Sequence, residues 1–219
     1  MSYLIWNCQG LGSPLTIRSL KELIRRHRPS VVFLMESKSG GPRMVKLHLE
    51  CGYMFGFTVD AEGLSGGLGL WWNFNVKVEI LSATKNMIDT IVTNASDSSL
   101  ARVSWVYGPP HYRDKARFWD SLDRFSWNNN TPWLCTGDFN ELLWQHEKSG
   151  GNPILHSTPR CLQRFMDSNS LLDLGYIGQR FTWQNNHVDG SFIQERIDRG
   201  LVNEEWLIAW PESQVYHCP

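Results

Sequence analysis

Short apolar runs and amphipathic segments alternate from the start of the chain. The run Val31–Met35 is apolar at every position, which is typical of a strand buried on both faces. Before it, Ser13-Pro14 has the form of a helix start, and apolar residues recur at helical spacing until just before Pro29. This pattern predicts a strand that ends at Asn7, then a helix, then a second strand that ends at Glu36.

The middle of the chain is rich in predicted strands. Gly and polar residues separate its apolar runs at short intervals, as in antiparallel strands joined by tight connections. The predicted strands span residues 68–72, 76–81, 87–92 and 100–107, and we interpret them as a meander. Such a segment argues against a purely parallel, doubly wound sheet.

The second half of the chain returns to mixed elements. We predict helices near 118–125 and 159–170, a strand at 133–136 that leads into Gly137-Asp138, and a short helix capped by Asn203. Strands at 181–183 and 192–202 are expected to form a hairpin across Asp189-Gly190, a dipeptide that favours tight turns. Layered sheets with interspersed helices make the predicted fold class a mixed α/β sandwich.

The composition indicates a packed globular protein. Of its 219 residues, 42% are hydrophobic, 20% are charged and 11 are Trp, whereas disordered chains avoid aromatic residues. We therefore expect one domain that spans residues 1–219. The formal net charge of −1 argues against a protein that binds nucleic acid tightly and without specificity. It is compatible with an enzyme that meets nucleic acid transiently with the help of a divalent cation.

Cysteine usage and hydropathy bear on the compartment. Five Cys without a CxxC pair favour reduced thiols in a nuclear or cytoplasmic protein over a disulfide framework or a zinc module. Polar residues interrupt the first apolar run too early for a signal peptide, and no run approaches the roughly 18 apolar residues of a membrane span. We therefore expect a protein that does not engage a membrane.

Polar side chains stand where several apolar runs end. Asn7, Glu36, Tyr107 and Asp138 end four such runs, and Asp198 lies in a fifth, more polar one. A carboxylate inside an apolar strand is unfavourable, whereas one at the strand end can face solvent and a cation. Each position also has a plain interpretation as a turn, a strand terminus or an ion-pair partner. Together, oxygen donors without His or Cys partners suit Mg²⁺ or Mn²⁺ and the hydrolysis of a phosphodiester.

A set of motifs resembles the endonuclease/exonuclease/phosphatase (DNase I-like) superfamily, in that family's order. They are Trp6-Asn7-Cys8-Gln9-Gly10-Leu11-Gly12, Leu34-Met35-Glu36-Ser37-Lys38, Ser65-Gly66-Gly67, Val106-Tyr107-Gly108 and Gly137-Asp138-Phe139-Asn140. Three further stretches are similar to the endonuclease of plant LINE-type, non-LTR retrotransposons: Glu147-Lys148-Ser149-Gly150-Gly151, Phe181-Thr182-Trp183 and Glu195-Arg196-Ile197-Asp198-Arg199. The resemblance runs from about residue 2 to residue 219.

The resemblance implies a fold and a role for individual residues. The fold is a four-layer α/β sandwich of two mixed, mostly antiparallel sheets flanked by helices. The implied roles are a metal site with Asn7 and Glu36, a water-aligning or water-deprotonating Asp138, an orienting Asn140, a phosphate-contacting Tyr107, and an Asp198 that holds the catalytic His. The implied cofactor is Mg²⁺ or Mn²⁺, and the implied reaction is the nicking of DNA.

Contacts with DNA are implied for the hairpin residues Thr182 and Trp183 and, in the family's pose, for Arg160. An ordinary edge hairpin and a solvated arginine explain these residues equally well. The basic run Arg25-Arg26-His27-Arg28 has two interpretations as well. It can complement the dipole of the helix that it ends, or it can contact phosphate.

Two departures from the family pattern bear on activity. Gln9 stands where some members carry a metal-binding Asp. The family also finishes with a Ser-Asp-His stretch on a last strand, and this sequence ends before it, with His217 aligning upstream. We therefore expect a truncated, monomeric domain that lacks this strand and derives from a larger polyprotein with a reverse transcriptase. The missing stretch makes the activity of the isolated chain doubtful.

Two alternatives to a nicking endonuclease stay open. The first is a non-catalytic retroelement remnant with at most weak binding of metal or nucleic acid. The second keeps the superfamily but changes the substrate to a small phosphoester or a phosphoinositide, and the LINE-like stretches argue against it.

Overall fold

The computed structural model describes residues 1–63, 65–123, 130–154, 160–185 and 192–218. The chain divides into two compact units, Met1–Val106 and Tyr107–Pro219. Within these described ranges, no helix is long and apolar enough to cross a membrane.

Among its described residues, the first unit contains two helices and strands of two sheets. Its elements are β1 (Tyr3–Asn7), α1 (Pro14–His27), β2 (Val31–Met35), α2 (Gly41–Glu50), β3 (Phe55–Val59), β4 (Leu68–Trp72), β5 (Val76–Thr84), β6 (Met87–Asn94) and β7 (Leu100–Tyr107), whose last residue opens the second unit. The first sheet has the order β1-β2-β4-β3. Strands β1 and β2 are parallel, and the pairs β2–β4 and β4–β3 are antiparallel.

Helix α1 begins and ends where its sequence signals lie. The Ser13 hydroxyl oxygen accepts a hydrogen bond from the Leu15 N–H at 3.2 Å and so satisfies one free donor of the first turn. At the other end, Arg28 adopts a left-handed conformation with φ 46°, and its N–H donates to the Ile24 carbonyl at 2.8 Å. Pro29 then prevents the helix from continuing.

The first sheet is covered on both faces. On one face, Val32 of β2 and Trp71 of β4 form a buried cluster with Leu20 of α1 and Met44 of α2. Because side chains alternate along a strand, Phe33 points to the other face. There its ring lies 5.7 Å from that of Trp105 in β7, so the antiparallel sheet β5-β6-β7 packs against the first sheet.

The described part of the second unit contains three α-helices and several short strands. Its elements are α3 (Tyr112–Asp123), β8 (Trp133–Asp138), a 3₁₀ turn (Gln145–Glu147), β9 (Lys148–Ser149), α4 (Cys161–Ser168), β10 (Leu172–Asp173), β11 (Ile177–Gly178), β12 (Trp183–Gln184), β13 (Gln194–Glu195), β14 (Asp198–Val202), α5 (Glu204–Ala209) and β15 (Tyr216–His217). Strand β14 pairs antiparallel with both β8 and β10. Strand β13 pairs with β12 and β9, and β11 runs parallel to β15.

Helices α3 and α4 are fastened to each other by a buried carboxylate. Trp119 of α3 stacks on Phe139 at 5.9 Å and contacts Phe165 of α4 at 5.1 Å. Glu141 accepts hydrogen bonds from the Trp119 indole N–H at 2.8 Å and from the Leu162 N–H at 2.9 Å. The second of these bonds satisfies a free donor at the start of α4.

The predicted mixed α/β class, with mainly antiparallel sheets and flanking helices, is confirmed. The meander prediction is wrong for β4, which pairs with β2 and β3 instead of β5. The reason is that four of its five residues are buried, so it needs a neighbour on each side and cover on both faces. Helix α2 and strand β3 were not predicted.

The predicted strand at 192–202 is also wrong. It divides into β13 and β14, because Arg196 between them turns its side chain into the interior to pair with Glu147 and Asp173. The hairpin pairing itself is confirmed by Trp183 opposite Glu195. The Asp189-Gly190 turn, residues 124–125 of the first of the two predicted helices and residue 159 of the second lie outside the described residues. The single-domain expectation stays a prediction.

Candidate active site

In the first unit, Asn7 and Glu36 lie at the same edge of the sheet. Asn7 ends β1 and pairs in parallel register with Met35, the last residue of β2, and Glu36 follows directly. Neighbouring parallel strands end on one side of a sheet, so the two side chains are presented together. Asn7 also accepts a hydrogen bond from the Gln9 N–H at 3.2 Å, which turns the chain sharply after the strand.

The loop that carries Glu36 is held from two sides. The Leu11 N–H donates to the Ser37 carbonyl at 2.9 Å, and the Ser37 N–H donates to the Gly67 carbonyl at 3.0 Å. A side chain at position 67 would place its Cβ 2.4 Å from the Ser37 hydroxyl, and the residue has φ 87°. Only Gly fits there, which explains the Ser65-Gly66-Gly67 motif.

Three residues in these loops have backbone conformations that non-glycine residues seldom adopt. Gln9, Glu36 and Lys38 have φ values of 47°, 50° and 48°. Such strain persists only where the surrounding structure enforces it, and it is concentrated at functional sites. It therefore supports a functional interpretation of this edge.

The donor set of this edge fits a hard divalent cation. Asn7 and Glu36 offer amide and carboxylate oxygens, the ligands that Mg²⁺ and Mn²⁺ prefer. The Lys38 ammonium lies 3.7 Å from a Glu36 carboxylate oxygen, and both side chains are partly exposed, so the carboxylate is accessible. Among the described residues, no group of three or more His, Cys, Asp or Glu is arranged to hold a metal ion. Asn7 and Glu36 would thus supply part of a ligand set that water and phosphate oxygens complete.

In the second unit, Asp138 ends β8 as an almost fully buried carboxylate, 3% exposed. Its Oδ1 accepts a hydrogen bond from the Asn140 N–H at 2.9 Å. Asn140 has φ 50°, and its side-chain amide donates to the Gly108 carbonyl at 2.8 Å. The loop after β8 and the residue after Tyr107 are therefore joined by side-chain and backbone bonds.

Gly108 allows this close approach. Its N–H donates to the Asp138 carbonyl at 2.7 Å. A Cβ on Gly108 would lie 2.2 Å from the backbone carbonyl oxygen of Phe139, which cannot move aside as a flexible side chain would. The Tyr107-Gly108 and Asp138-Asn140 segments can pack together in this way only with Gly at position 108.

Asp198, the first residue of β14, lies directly opposite Asp138 in the antiparallel register. Directly opposite residues share a face of the sheet, with Cβ atoms about 5 Å apart. Burial raises the pKa of Asp198 to about 6, although a hydrogen bond from Thr182 and the charge of Arg199 lower it. The carboxyl groups of Asp138 and Asp198 thus stand side by side.

The Thr182 hydroxyl positions Asp198. It accepts hydrogen bonds from the N–H groups of Ile197 and Asp198 at 3.1 and 3.2 Å, in addition to its bond with the Asp198 carboxylate. Thr182 is therefore turned toward β14. Trp183 is half-buried in β12, and Arg160 is exposed at the start of α4 without a side-chain capping bond. Tyr107, at the end of β7, is 5% exposed.

The sequence profile of the Endonuclease/Exonuclease/phosphatase family matches residues 4–217. The chain belongs to this family. No curated protein matches the sequence significantly.

Several solved structures resemble this family member. One is the endonuclease domain of TRAS1, a telomere-specific non-LTR retrotransposon, with 15% identity, 94% of this chain and 86% of that chain covered, and a TM-score of 0.69. A second is the 3′ phosphatase NExo from Neisseria, bound to a product DNA hairpin. It has 17% identity, 93% of this chain and 87% of that chain covered, and a TM-score of 0.66. A third is the AP endonuclease LMAP from Leishmania major, with 12% identity, 93% of this chain and 79% of that chain covered, and a TM-score of 0.69. At these identities the similarity shows the fold, which is the α/β fold of DNase I-like enzymes.

Four charged residues that sequence reasoning did not select organise the second unit of this family member. Glu147 accepts from Arg199 at 2.6 Å and from Arg196 at 3.1 Å, and Asp173 accepts from the same two arginines at 3.0 and 2.8 Å. Burial raises the pKa of Glu147, but hydrogen bonds and the charge of Arg199 lower it further, so that the pKa lies below its ordinary value. Glu147 and both arginines lie in the LINE-like stretches, and that was the signal that could have identified them.

This charged cluster leaves Asp198 to other partners. Both neighbouring arginines form their ion pairs with Glu147 and Asp173. Within the described residues, Asp198 forms no ion pair with Arg196 or Arg199. The structure therefore does not support the alternative in which Asp198 only bridges one of these arginines. His217 stacks on Tyr176 at 4.5 Å and contacts the Gln179 carbonyl at 2.7 Å, and burial lowers its pKa.

Proposed function

We propose that this chain is a nuclease that hydrolyses a phosphodiester bond of DNA with the help of Mg²⁺ or Mn²⁺. The observation that supports it most directly is the cross-strand pair of Asp138 and Asp198 with the Asn140 loop bonded to Gly108. Two carboxyl groups fixed side by side on a sheet suit proton transfer to and from a reacting water.

Each residue has a proposed part in the reaction. Asp138 would align the attacking water and take its proton, and the Asn140 amide would orient that water. The Tyr107 phenol would contact the phosphate. Asp198 would hold the His of the family's Ser-Asp-His stretch, where a longer chain continues into that stretch. Thr182 would keep the Asp198 carboxylate in place.

The metal ligands belong to the first unit. Asn7 and Glu36 would bind a hard divalent ion through oxygen, with Gln9 beside them in place of a charged ligand. When bound, the ion would offset the charge that develops on the phosphate oxygens. We further propose that Lys38, 3.7 Å from Glu36, moves its ammonium aside when the carboxylate takes its metal.

The substrate and the genetic source are proposals as well. Nicked DNA would provide a 3′-hydroxyl for reverse transcription, as in non-LTR elements of the LINE type. The LINE-like stretches and the similarity to the TRAS1 domain support this. Trp183 and Arg160 would contact the DNA, and Thr182 would do so only through the hairpin that it anchors. The protein would act in the nucleus or cytoplasm as a monomeric part of a polyprotein with a reverse transcriptase.

The test is the nicking of supercoiled plasmid in Mg²⁺. It should be run on the chain as given and on a longer chain that continues through Ser-Asp-His. Asp138→Asn should reduce nicking by about 10²-fold or more, since a general base contributes roughly 10²–10⁴ in rate. Asp120→Asn, the same change at an exposed position of α3, is the matched control. Uncut plasmid with the longer chain at high enzyme concentration would end the proposal.

The same assay separates the alternatives. A non-catalytic remnant predicts intact plasmid with both chains. An enzyme for small phosphoesters predicts turnover of a soluble phosphate ester without nicking. Nicking that is much faster than ester turnover is the result that we expect.

A further inference from the structure

The end of helix α1 concentrates positive charge in a protein that is nearly neutral. Residues 14–28 contain five basic side chains and one acidic side chain, a formal charge of +4, whereas the whole chain has −1. The basic residues are Arg18, Lys21, Arg25, Arg26 and Arg28, and the acidic one is Glu22. Such local concentration is the electrostatic pattern of a surface that meets an anion.

The helix dipole accounts for only part of this charge. A helix C-terminus carries about half a negative charge, which one cation can offset. Arg25 pairs with Glu22 at 2.6 Å, and it also lies in the last turn. Of the other basic residues, Lys21 pairs with Glu50 at 2.9 Å, and Arg18 lies in the first half of the helix. Arg26 and Arg28 therefore remain at the helix end, and neither forms an ion pair within the described residues. Their charge therefore exceeds what the helix terminus requires.

A cavity opens beside Arg25 and Arg28. It has a volume of about 390 Å³, and its lining includes Arg25, Arg28, Ser30, Tyr53, Asn73 and Asn75. The Asn75 amide nitrogen donates to the Ser30 hydroxyl at 3.2 Å. The Asn75 backbone carbonyl accepts from the Ala95 N–H at 3.0 Å, but no donor to its side-chain Oδ1 occurs among the described residues, so Oδ1 can accept a hydrogen bond from a ligand.

Exposed aromatic rings lie next in sequence to two of the residues that line the cavity. Phe74 lies between the lining residues Asn73 and Asn75 and is 70% exposed. Its ring meets Phe55 edge-on at 5.1 Å, and Phe55, itself 40% exposed, stacks on Trp72 at 6.1 Å. Large aromatic rings clustered at the surface are unfavourable in water unless a ligand covers them. A flat ring held at its edge by a second ring is a platform for another flat group.

The cavity and the exposed ring of Phe74, together called the groove, are remote from the edge that carries Asn7 and Glu36. Trp72 pairs with Val31, the first residue of β2, whereas Glu36 follows the last residue of that strand. The length of β2 therefore separates them, about 16 Å at roughly 3.3 Å per residue. A ligand in the groove would not occupy the proposed catalytic residues of the first unit.

We propose that the groove binds single-stranded nucleic acid. An unstacked base lies on Phe74, and the Asn75 side-chain Oδ1 accepts a hydrogen bond from the amino group of that base. Arg26 and Arg28 neutralise the adjoining phosphates. Single strands fit better than duplexes, because only an unpaired base offers a free face to an aromatic ring. The arginines distinguish this ligand from an apolar protein segment, which would leave their charge without a partner.

The test is fluorescence anisotropy with a labelled 12-nucleotide single strand, as DNA and as RNA, in EDTA so that no hydrolysis occurs. Phe74→Ala should weaken binding by about 5- to 100-fold, the effect of losing one stacked base. Phe74→Trp should restore it. Leu15→Ala, at a position 73% exposed on the same unit, is the matched control and should leave the affinity unchanged.

Salt dependence tests the arginines separately. Arg28→Ala should reduce the slope of log affinity against log salt concentration by about 0.7, the value for one phosphate contact on a single strand. Arg113→Ala, an exposed arginine of α3, should leave the slope unchanged. Whether DNA or RNA binds more tightly identifies the natural ligand.

Two results would overturn the proposal. One is an affinity for single strands that Phe74→Ala and Leu15→Ala change equally. The other is a duplex that binds as tightly as the single strand and loses as much affinity with Phe74→Ala. Because binding is measured without hydrolysis, it is independent of the nicking assay. Asp138→Asn should still bind the single strand.

Discussion

Replacing Asp198 with Asn should stabilise the protein while it impairs the proposed reaction. Burial raises the pKa of Asp198 from its ordinary 3.8 to about 6. A carboxyl group whose pKa is higher in the folded than in the unfolded state binds its proton more tightly when the protein is folded. Ionising this group therefore destabilises the folded protein. The stability of the wild type is therefore lost as the pH rises from about 4 through 6. Asn has the same shape, carries no charge, and can still accept from Thr182.

The magnitude follows from the two pKa values. Linkage gives a loss of about 2 kcal/mol at pH 5 and about 3 kcal/mol at pH 8, relative to a protonated Asp198. Asp198→Asn should thus raise the free energy of unfolding by up to these amounts. The gain should be larger at pH 8 than at pH 5 by about 1 kcal/mol.

Urea denaturation of the wild type and the variant at pH 5, 6, 7 and 8 measures this difference. Asp120→Asn, at an exposed position, should change stability by less than about 0.5 kcal/mol at every pH. A stability difference for Asp198→Asn that stays constant from pH 5 to pH 8, or that decreases, would refute the reasoning. Such a result would mean that the carboxylate is ionised in the folded protein at no cost.

Two further predictions concern the scaffold. Arg199→Met should destabilise the protein by about 3–5 kcal/mol in urea denaturation, because Glu147 then stays buried without its closest partner; an effect below 1 kcal/mol would contradict the network. Gly108→Ala should lower the free energy of unfolding by about 1–3 kcal/mol, because its Cβ meets the Phe139 carbonyl, whereas Gly12→Ala, with open space around it, should cost far less. Equal effects of the two glycine changes would show that the close approach is not rigid.

Much of the fold could be predicted from local patterns. Helix α1 followed from its Ser13 cap, its helical spacing and Pro29, and β2 followed from five consecutive apolar residues. The location of β4 could not be predicted in this way. Its apolar run is compatible with either neighbouring sheet, and the choice depends on pairing with β2 and β3 at a distance in sequence.

The site was predictable to a similar extent. Strand ends and motif order selected Asp138 and Asp198, but their cross-strand register was not readable from the sequence. The buried cluster around Glu147 was missed because hydrophobic periodicity contains no information on which arginine pairs with which carboxylate. The inward role of Thr182 was missed for the same reason, since a hydroxyl in a strand can face either side.

The rate of plasmid nicking as a function of Mg²⁺ concentration tests the central claim most directly. It should be measured with the longer chain for the wild type, Glu36→Gln and Asp138→Asn. We predict no nicking in EDTA, a higher Mg²⁺ requirement for Glu36→Gln, and a rate at saturating Mg²⁺ that falls by about 10²-fold or more for Asp138→Asn. Nicking that persists in EDTA, or that neither substitution changes, would contradict a metal-dependent reaction at these residues.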